Sequence, residues 1–411
     1  MINNNSQLST LNSQFSILNS QLFNGVYEGK TVLVTGHTGF KGSWLCYWLI
    51  QMGAKVIGYS LEAPTTPNHF DLLFGENSQF SILNSQLISI IADIRDLEKL
   101  NQVFEKYKPD IVFHLAAQAL VRLSYDNPIE TYETNVMGTL KVFEACRKHK
   151  VKAIVNITSD KAYENREWIW GYRENDPMGG YDPYSSSKGC ADILATSYRN
   201  SYFNVNEYKK THSTLLATCR AGNVIGGGDW AKDRLITDIM LSVSQGKKVN
   251  IRNPKATRPW QHVLEPLSGY LQIGQKLLEE KVEFADAWNF GPSDEGSITV
   301  EEVVKNVKKH WDKIDYEINS QFSILNSQLD NNSQFSTLNS QLNYHEANLL
   351  KLDCSKAHIL LKWKDVWNSD TTFEKTVKWY KAFYEDEVIL TKEDLEEYIK
   401  DAINKNIEWA I

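Results

Sequence analysis

The sequence predicts an α/β fold: a doubly wound parallel sheet with helices on both faces, joined to a smaller mixed α/β lobe at the C-terminal end. A short apolar run, residues 31–34, leads directly into a glycine-rich turn and an apolar helical segment at residues 43–52. Further apolar runs alternate with helical segments, at residues 55–59, 88–92 and 110–114. This alternation is typical of a parallel sheet, and it breaks off in the second half of the chain. We therefore expect a Rossmann-type sheet in the first half and a mixed lobe in the second.

The composition is that of an ordinary globular protein, with 411 residues, 42% of them apolar and 23% charged, which is enough for two lobes. A formal net charge of −7 argues against a protein that binds nucleic acid or an anionic membrane. The five cysteines are scattered without a close pair, so we expect a reducing compartment and no metal site. Because the chain lacks both a secretory signal and an apolar stretch of about 18 residues, we expect a cytoplasmic protein.

One segment of eleven letters recurs along the chain. NSQFSILNSQL occupies residues 12–22, 77–87 and 319–329, and a near copy with Thr337 in place of isoleucine spans residues 332–342. Solenoid repeats stack at regular spacing, whereas these copies are far apart, so they do not build the architecture. We interpret them as insertions in surface loops, where added length costs little, with a docking motif as the alternative. For the fold we set aside residues 1–24, 77–87 and 319–342.

The glycine-rich turn TGHTGFKG, residues 35–42, predicts a dinucleotide site. Strand, glycine turn and helix follow in the order that such a site requires. Glycines let the backbone turn tightly and approach a pyrophosphate, whose charge then lies at the helix N-terminus. The predicted cofactor contacts in this turn are Gly36, Thr38, Gly39, Phe40 and Gly42.

The choice of cofactor is weakly specified by the sequence. The second strand ends at Ser60 instead of the acidic residue that usually binds an adenosine ribose, and no arginine follows directly to accept a 2′-phosphate. We therefore predict NAD, with Glu62 as a substitute ribose contact, while Lys41 keeps NADP open. Asp93 follows the third strand, where it could accept a hydrogen bond from the adenine amine or could instead cap a helix that begins near Arg95.

Tyr184 and Lys188 are four residues apart in the run YDPYSSSK. On a helix this spacing places both side chains on one face, so that the ammonium can favour the ionised form of the phenol. Downstream of a dinucleotide turn, such a pair indicates redox chemistry on a bound nicotinamide.

Together these motifs resemble the extended short-chain dehydrogenase/reductases and, within them, the nucleotide-sugar 4,6-dehydratases. The resemblance covers residues 28–390 apart from the inserts. It rests on TGHTGFKG, on HLAAQ at residues 114–118, on Asn135, on TSDKAY at 158–163, on YDPYSSSK at 181–188, and on RAGNVIGGGDW at 220–230. Lys161 follows Asp160, as in the members that act on CDP-glucose, whereas glutamate stands there in those that act on dTDP-glucose or GDP-mannose.

The resemblance implies conversion of CDP-glucose to CDP-4-keto-6-deoxyglucose and water with NAD, as a step towards deoxysugars of surface polysaccharide such as lipopolysaccharide O-antigen. Tyr184, assisted by Lys188, would take the proton of the carbon 4 hydroxyl, and Ser159 would bind the carbon 4 oxygen. Asp160 would protonate the departing carbon 6 hydroxyl. Lys161 would be the base at carbon 5, or would polarise the carbon 4 ketone. A 4-epimerase, a dehydratase for another sugar nucleotide and a non-catalytic nucleotide-binding scaffold are the alternatives.

The resemblance also implies binding residues and an assembly. Further cofactor contacts are Asp93, Ile94, Ala116 and Ala117, together with Tyr184 and Lys188. Substrate contacts are Arg258 at the diphosphate, Asn223 and Arg234 beside it, and Asn289 as a weaker candidate. We expect residues 25–215 to form mainly the NAD-binding domain and residues 216–411 mainly the nucleotide-sugar lobe, with some chain crossing between them. A homodimer through a four-helix interface is expected by analogy.

Overall fold

The computed structural model describes residues 19, 21–76, 78, 86–251, 254–292, 297–318 and 349–411, without the side chains of Arg258 and Ser297. The strands in this part of the chain are β1 (Thr31–Thr35), β2 (Lys55–Ser60), β3 (Leu87–Ile91), β4 (Ile111–His114), β5 (Ala153–Ile157), β6 (Leu215–Ala221), β7 (Asn223–Ile225), β8 (Val249–Ile251), β9 (Thr257–His262), β10 (Ala287–Phe290), β11 (Ser297–Thr299) and β12 (Tyr316–Ile318). The α-helices are α1 (Phe40–Gln51), α2 (His69–Phe74), α3 (Leu97–Tyr107), α4 (Val121–Asp126), α5 (Pro128–Tyr132), α6 (Thr139–Lys148), α7 (Pro183–Ser201), α8 (Leu235–Ser244), α9 (Leu264–Leu278), α10 (Val300–His310), α11 (Ser369–Asp386) and α12 (Thr391–Asn404).

Seven strands form the central sheet in the order β10-β6-β5-β4-β1-β2-β3. Every neighbouring pair is parallel, which confirms the predicted doubly wound α/β fold. The strand order reverses between β1 and β4. In such sheets ligands bind beyond the carboxyl ends of the strands at this reversal.

The predicted strands of the first half are confirmed to within one residue at either end. The first helix differs more, because α1 begins at Phe40 and not at residue 43. Its N-cap is Gly39, which has no side chain that could form a capping bond. The glycine turn therefore runs straight into the helix, and the first backbone N–H groups of α1 face the position expected for a cofactor phosphate.

The second half of the chain adds a mixed three-stranded sheet in the order β11-β9-β7, and a short parallel pair of β12 with β8. It also completes the large sheet, because β10 pairs with β6 at one edge. The boundary predicted between residues 215 and 216 falls inside β6, and the two predicted lobes therefore share one sheet. The division into two domains remains a prediction.

The described ends of two repeat copies are part of the core, which corrects their assignment to surface loops at these positions. Leu22 ends the first copy and is buried, as is Phe23, whose ring stacks on that of Trp409 with centroids 5.1 Å apart. Leu87 ends the second copy but is the first residue of β3, where it pairs with Val56. The two remaining copies, residues 319–329 and 332–342, lie outside the described residues.

A buried carboxyl group fixes the C-terminal helices to the sheet. Glu265 on α9 accepts hydrogen bonds from the backbone N–H of Trp367 at 2.7 Å and of Val366 at 3.0 Å, and from the Tyr398 hydroxyl at 2.8 Å. Burial raises the pKa of Glu265 to about 8. Because the folded state holds this proton more tightly than the unfolded state, its contribution to stability is present at low pH and is lost as the pH rises towards about 8.

Glu265→Gln is expected to lower the free energy of unfolding by about 1–3 kcal/mol, because an amide N–H₂ must then face one of the donors. The same substitution is expected to flatten the pH dependence between the ordinary pKa of glutamic acid and about 8. Urea unfolding at a series of pH values measures both effects. Glu317→Gln on the exposed end of β12 is the matched control, and an equal pH slope in the Glu265 variant and the wild type would contradict the prediction.

Candidate active site

The glycine turn between β1 and α1 leaves room for a dinucleotide next to the backbone. Gly36 has φ +74°, and a Cβ there would lie 2.8 Å from the backbone nitrogen of Ala116. A Cβ on Gly42 would lie 2.1 Å from the carbonyl oxygen of Gly36. Side chains are therefore excluded from both positions, and the turn can approach a pyrophosphate closely. Together with its place at the strand reversal, the turn fits a dinucleotide cofactor.

The carboxyl ends of β2 and β3 carry polar groups beside this turn. The Thr38 hydroxyl contacts Ser60 Oγ at 2.8 Å and the Leu61 carbonyl at 2.8 Å. Asp93 accepts hydrogen bonds from the backbone and the guanidinium of Arg95, and the pKa of Asp93 is lowered by these bonds against the effect of burial. The alternative of a helix cap is wrong, because Asp96 caps α3. The adenine contact of Asp93 remains a prediction.

The loop after β4 connects the cofactor turn to helix α7. Ala116 and Ala117 are half-buried in this loop, and the Ala116 N–H donates to Thr35 Oγ1 at 3.2 Å. Asn135 lies in a π-helical segment, Glu133–Gly138, and its amide bonds both the backbone of Gln118 and Ser187 Oγ. In the same segment, a Cβ on Gly138 would meet Ile94 at 2.6 Å.

Helix α7 carries Tyr184 and Lys188 as the spacing predicted. Asp182 caps the helix by accepting from the Ser185 N–H at 2.9 Å, and the Tyr184 N–H donates to Ser124 Oγ at 3.1 Å. The side chains of Tyr184 and Lys188 are both buried. Lys188 Nζ donates to the Ile157 carbonyl at 3.3 Å.

Ser159 links Tyr184 to Asp160. Its hydroxyl donates to Asp160 Oδ1 at 2.9 Å, and it acts on the Tyr184 phenol by lowering the pKa of that group. Ser159 also accepts from the Lys161 N–H at 3.2 Å, which begins the short 3₁₀ turn Asp160–Ala162. The structure thus brings together four of the five predicted catalytic residues and places the half-buried Lys161 next to them.

Burial dominates the protonation equilibria of Tyr184 and Asp160. It raises the pKa of Tyr184 to about 12, with Ser159 and Arg234 acting in the opposite direction. Lys188 is not among the largest influences on that pKa, and the effect that the sequence assigns to Lys188 stays a prediction. Burial also raises the pKa of Asp160, although Lys161 and Ser159 oppose it. A raised pKa is the direction of change that a general acid requires.

Lys41 joins the site from the glycine turn, where the sequence suggested only an effect on cofactor choice. Burial lowers the pKa of Lys41 to about 8, and the charge of Arg234 acts in the same direction. The charge of Asp160 acts in the opposite direction. Helix α1 therefore brings a cation within electrostatic range of the predicted acid. Only the glycine pattern of the turn marks this position in the sequence.

The four predicted substrate residues have different surroundings. Asn223, the first residue of β7, is half-buried, and Arg234 donates to Asp229 Oδ2 at 2.5 Å just before α8. The side chain of Arg258 lies outside the described residues, although its backbone belongs to β9. Asn289 is fully buried, and its amide bonds the Tyr163 hydroxyl and the carbonyls of Tyr172 and Asp353. A substrate contact for Asn289 has no support in this geometry, since the protein itself uses the whole amide.

The sequence model of the GDP-mannose 4,6 dehydratase family matches residues 33–378. The chain belongs to this dehydratase family. The match confirms the resemblance inferred from the motifs, and it covers the cofactor turn, the Ser159–Asp160 chain and helix α7 of this family member.

Curated relatives agree with the membership of the dehydratase family. The chain is 51% identical to the CDP-glucose 4,6-dehydratase of Salmonella typhimurium over 91% of its own length and 97% of that protein. It is 27% identical to the dTDP-D-glucose 4,6-dehydratase of Dictyostelium discoideum over 63% of its length and 58% of that protein.

Two solved structures share the fold of this dehydratase family member. An epimerase from Methanothermobacter thermautotrophicus has a TM-score of 0.71 at 22% identity, covering 92% of this chain and 98% of that one. The dTDP-glucose 4,6-dehydratase of Bacillus anthracis, solved with NAD, has a TM-score of 0.65 at 21% identity, covering 87% of this chain and 98% of that one.

Proposed function

We propose that this chain is an NAD-dependent CDP-glucose 4,6-dehydratase, a hydro-lyase that converts CDP-glucose to CDP-4-keto-6-deoxyglucose and water. The single observation that carries the choice of substrate is the 51% identity, over nearly the whole of both chains, to a protein with that name. The buried acid chain supports the reaction type, because a simple 4-epimerase needs no group to protonate a leaving hydroxyl at carbon 6.

The residues of the cofactor turn would hold NAD, with its pyrophosphate at the N-terminus of α1 and its nicotinamide end towards Tyr184. NAD supplies a hydride acceptor at carbon 4 and a hydride donor at carbon 6, and is unchanged overall. Gly36 and Gly42 allow the close approach, while Thr38 and Ser60 present hydroxyl groups at the end of β2.

The protein's own part in the oxidation is to take a proton. Tyr184 accepts the proton of the carbon 4 hydroxyl, and Ser159 favours the ionised form of this phenol. Because the phenol is buried and its pKa is raised, nearby positive charge is needed to stabilise its ionised form. Arg234 supplies part of this charge, and we propose that Lys188, four residues along the same helix face, supplies more when the substrate is bound.

The elimination requires an acid and a base on the two neighbouring carbons. Asp160 donates its proton to the carbon 6 hydroxyl, which leaves as water, and the carbon 5 proton moves to Lys161. A ketone at carbon 4 makes the carbon 5 proton acidic. Lys161 can also act by attracting the ketone oxygen, because this increases the acidity of the same proton. Asn223, Arg234 and Arg258 are proposed to bind the nucleotide diphosphate, with the guanidinium groups on phosphate oxygens.

Mass spectrometry of the purified protein with CDP-glucose, dTDP-glucose and GDP-mannose tests the proposal. We expect loss of one water from CDP-glucose alone, in a reaction that depends on NAD. Loss of water from another of the three nucleotide sugars would overturn the substrate assignment. An unchanged mass in all three would leave an epimerase or a nucleotide-binding scaffold, and NMR spectroscopy of the recovered sugars separates these two, because inversion at carbon 4 does not change the mass.

We further propose that two chains associate through the exposed apolar surface formed by residues 128–138 and α7. Ile129 is 75% exposed and Ile193 56% exposed. Tyr132 and Met137 are exposed beside Ile129, and these side chains border a shallow pocket with Cys190. So much exposed apolar surface on neighbouring helices is typical of an interface, and a second copy would cover it in a two-fold arrangement of four helices.

Ile129→Glu is expected to convert the dimer to a monomer, because two charged groups would be buried against apolar side chains. Sedimentation measures the change. Ile359→Glu, at an exposed isoleucine on another face, is the matched control and is expected to leave the dimer intact. A wild-type protein that sediments as a monomer would refute this assembly.

The described part of the chain contains no helix that is long and apolar enough to cross a membrane. A cytoplasmic location and a role in making deoxysugars for surface polysaccharide, such as lipopolysaccharide O-antigen, remain proposals that follow from the assigned reaction.

A further inference from the structure

A buried ion pair connects helix α7, which carries Tyr184, to the turn that carries Ser159 and Asp160. Asp192 lies one helical turn beyond Lys188 and two turns beyond Tyr184, on the same face of α7. Its carboxylate accepts hydrogen bonds from Arg220 Nη2 at 2.6 Å and from Arg220 Nε at 2.8 Å, which makes the ion pair bidentate. The side chains are 1% exposed for Asp192 and 3% exposed for Arg220.

The pair holds both ends of the turn that carries Ser159 and Asp160. Before the turn, the Thr158 hydroxyl donates to Asp192 Oδ2 at 2.9 Å. After the turn, Arg220 Nη1 donates to the Tyr163 hydroxyl at 2.5 Å, and the guanidinium lies 4.9 Å from the centre of the Tyr163 ring.

The same network is anchored to the sheet on its far side. The Thr158 N–H donates to the carbonyl of Cys219, the residue before Arg220, at 2.9 Å. The Tyr163 hydroxyl donates to Asn289 Oδ1 at 2.8 Å, which reaches the end of β10. The turn therefore has little freedom to move relative to α7.

Stability alone is a weak explanation for this arrangement. Replacing a buried ion pair by apolar side chains of similar volume is often neutral or stabilising, since removing two charges from water is costly. What an ion pair with two parallel hydrogen bonds supplies, and apolar packing does not, is a defined direction and distance.

We infer that Asp192 and Arg220 are positioning residues, which set the distance between the proton-accepting Tyr184 on α7 and the acid chain of the Ser159–Asp160 turn. This inference rests on the proposed dehydratase function. Oxidation at carbon 4 depends mainly on groups of α7, whereas elimination also needs Asp160 and Lys161 in the correct place. A displaced turn should therefore slow elimination more than oxidation.

The sharpest variant is Thr158→Val, which keeps the shape of the side chain and removes one hydrogen bond to Asp192. In single turnovers of CDP-glucose with NAD, we expect loss of water to slow by about tenfold or more, because small misplacements of reacting groups are costly. We expect the appearance of reduced nicotinamide to change far less, so that the reduced form accumulates. Equal slowing of both steps, or no slowing of either, would overturn the inference.

A pair of variants separates positioning from stability. Asp192→Leu alone leaves the Arg220 charge buried without a partner and should lower the Tm. Asp192→Leu combined with Arg220→Met removes both charges, and we expect the Tm to return towards the wild-type value while elimination stays about tenfold or more slower relative to oxidation. Recovery of the normal ratio of the two rates in the double variant would show that the pair acts only on stability.

A structural test keeps this inference separate from the proposed function. If the wild-type protein changes none of the nucleotide sugars, the proposed dehydratase function is wrong. Crystal structures of the same variants then replace the measurement of the oxidation and elimination rates. The inference then requires residues 158–163 to shift relative to an unmoved α7. A turn that keeps its wild-type position in those structures would refute the positioning role whatever the substrate is.

Discussion

Tyr184→Phe is expected to slow oxidation at carbon 4 by about 10²- to 10⁴-fold, the usual effect of removing a general base. The substitution deletes one oxygen from a buried site, so the protein should still fold and bind CDP-glucose. The phenol is buried, and Ser159 lowers its pKa against the effect of burial. Single-turnover formation of reduced nicotinamide measures the step, and calorimetry measures binding.

The pH dependence gives a second test of this residue. Because burial raises the pKa of Tyr184 to about 12, the ionised fraction of the phenol increases with pH throughout the neutral range. The wild-type oxidation rate is therefore expected to rise with pH, and Tyr184→Phe should lose that rise. Tyr202→Phe, at an exposed tyrosine beyond the end of α7, is the control. An oxidation rate in Tyr184→Phe close to that of the wild type would remove Tyr184 from the mechanism.

Asp160→Asn is expected to separate the two halves of the reaction. Asparagine can still accept the Ser159 hydrogen bond but cannot donate an acidic proton to the leaving hydroxyl. Oxidation should therefore proceed, while loss of water slows by about 10²- to 10⁴-fold and reduced nicotinamide accumulates. Absorbance of the reduced nicotinamide and mass spectrometry of the sugar follow the two steps.

The pH dependence of the elimination rate in the wild-type protein should also report the titration of Asp160. Since burial raises the pKa of Asp160, the acid form persists to higher pH than for an ordinary aspartic acid, and elimination should decline once the pH passes that raised value. The decline should be absent in Asp160→Asn. Asp312→Asn, at an exposed position, is the control. Normal loss of water in Asp160→Asn would assign the acid to another group.

The sequence predicted those parts of the site that depend on local spacing. The strand, glycine turn and helix around Gly36 follow one another along the chain, so their pattern indicates the cofactor site directly. Tyr184 and Lys188 share a helix face for the same reason. Fold class was predictable because alternating strands and helices fix a parallel sheet.

The features of the site and the fold that the sequence did not predict depend on contacts between distant segments of the chain. The spacing of Tyr184 and Lys188 could not indicate that burial would raise the pKa of the phenol. Asp192 and Arg220 are 28 residues apart, and neither stands in a pattern that predicts the other. The resemblance to the family suggested Asn289 as a substrate contact, yet the fold uses its amide internally. The borders of the repeats were drawn by letter identity, which carries no information about the packing of Leu22 and Leu87.

The stacking of Phe23 on Trp409 and the pairing of β10 with β6 also affect how the chain folds during synthesis. Domains generally fold as units while the chain emerges from the ribosome. Here the cofactor-binding sheet lacks its edge strand until Ala287–Phe290 has been made, and the N-terminal aromatic cluster lacks a ring until Trp409 has been made. A ribosome that stalls before residue 287 therefore leaves an incomplete sheet in which one edge of β6 has no partner strand, and the cofactor half cannot complete its fold without the second half of the chain.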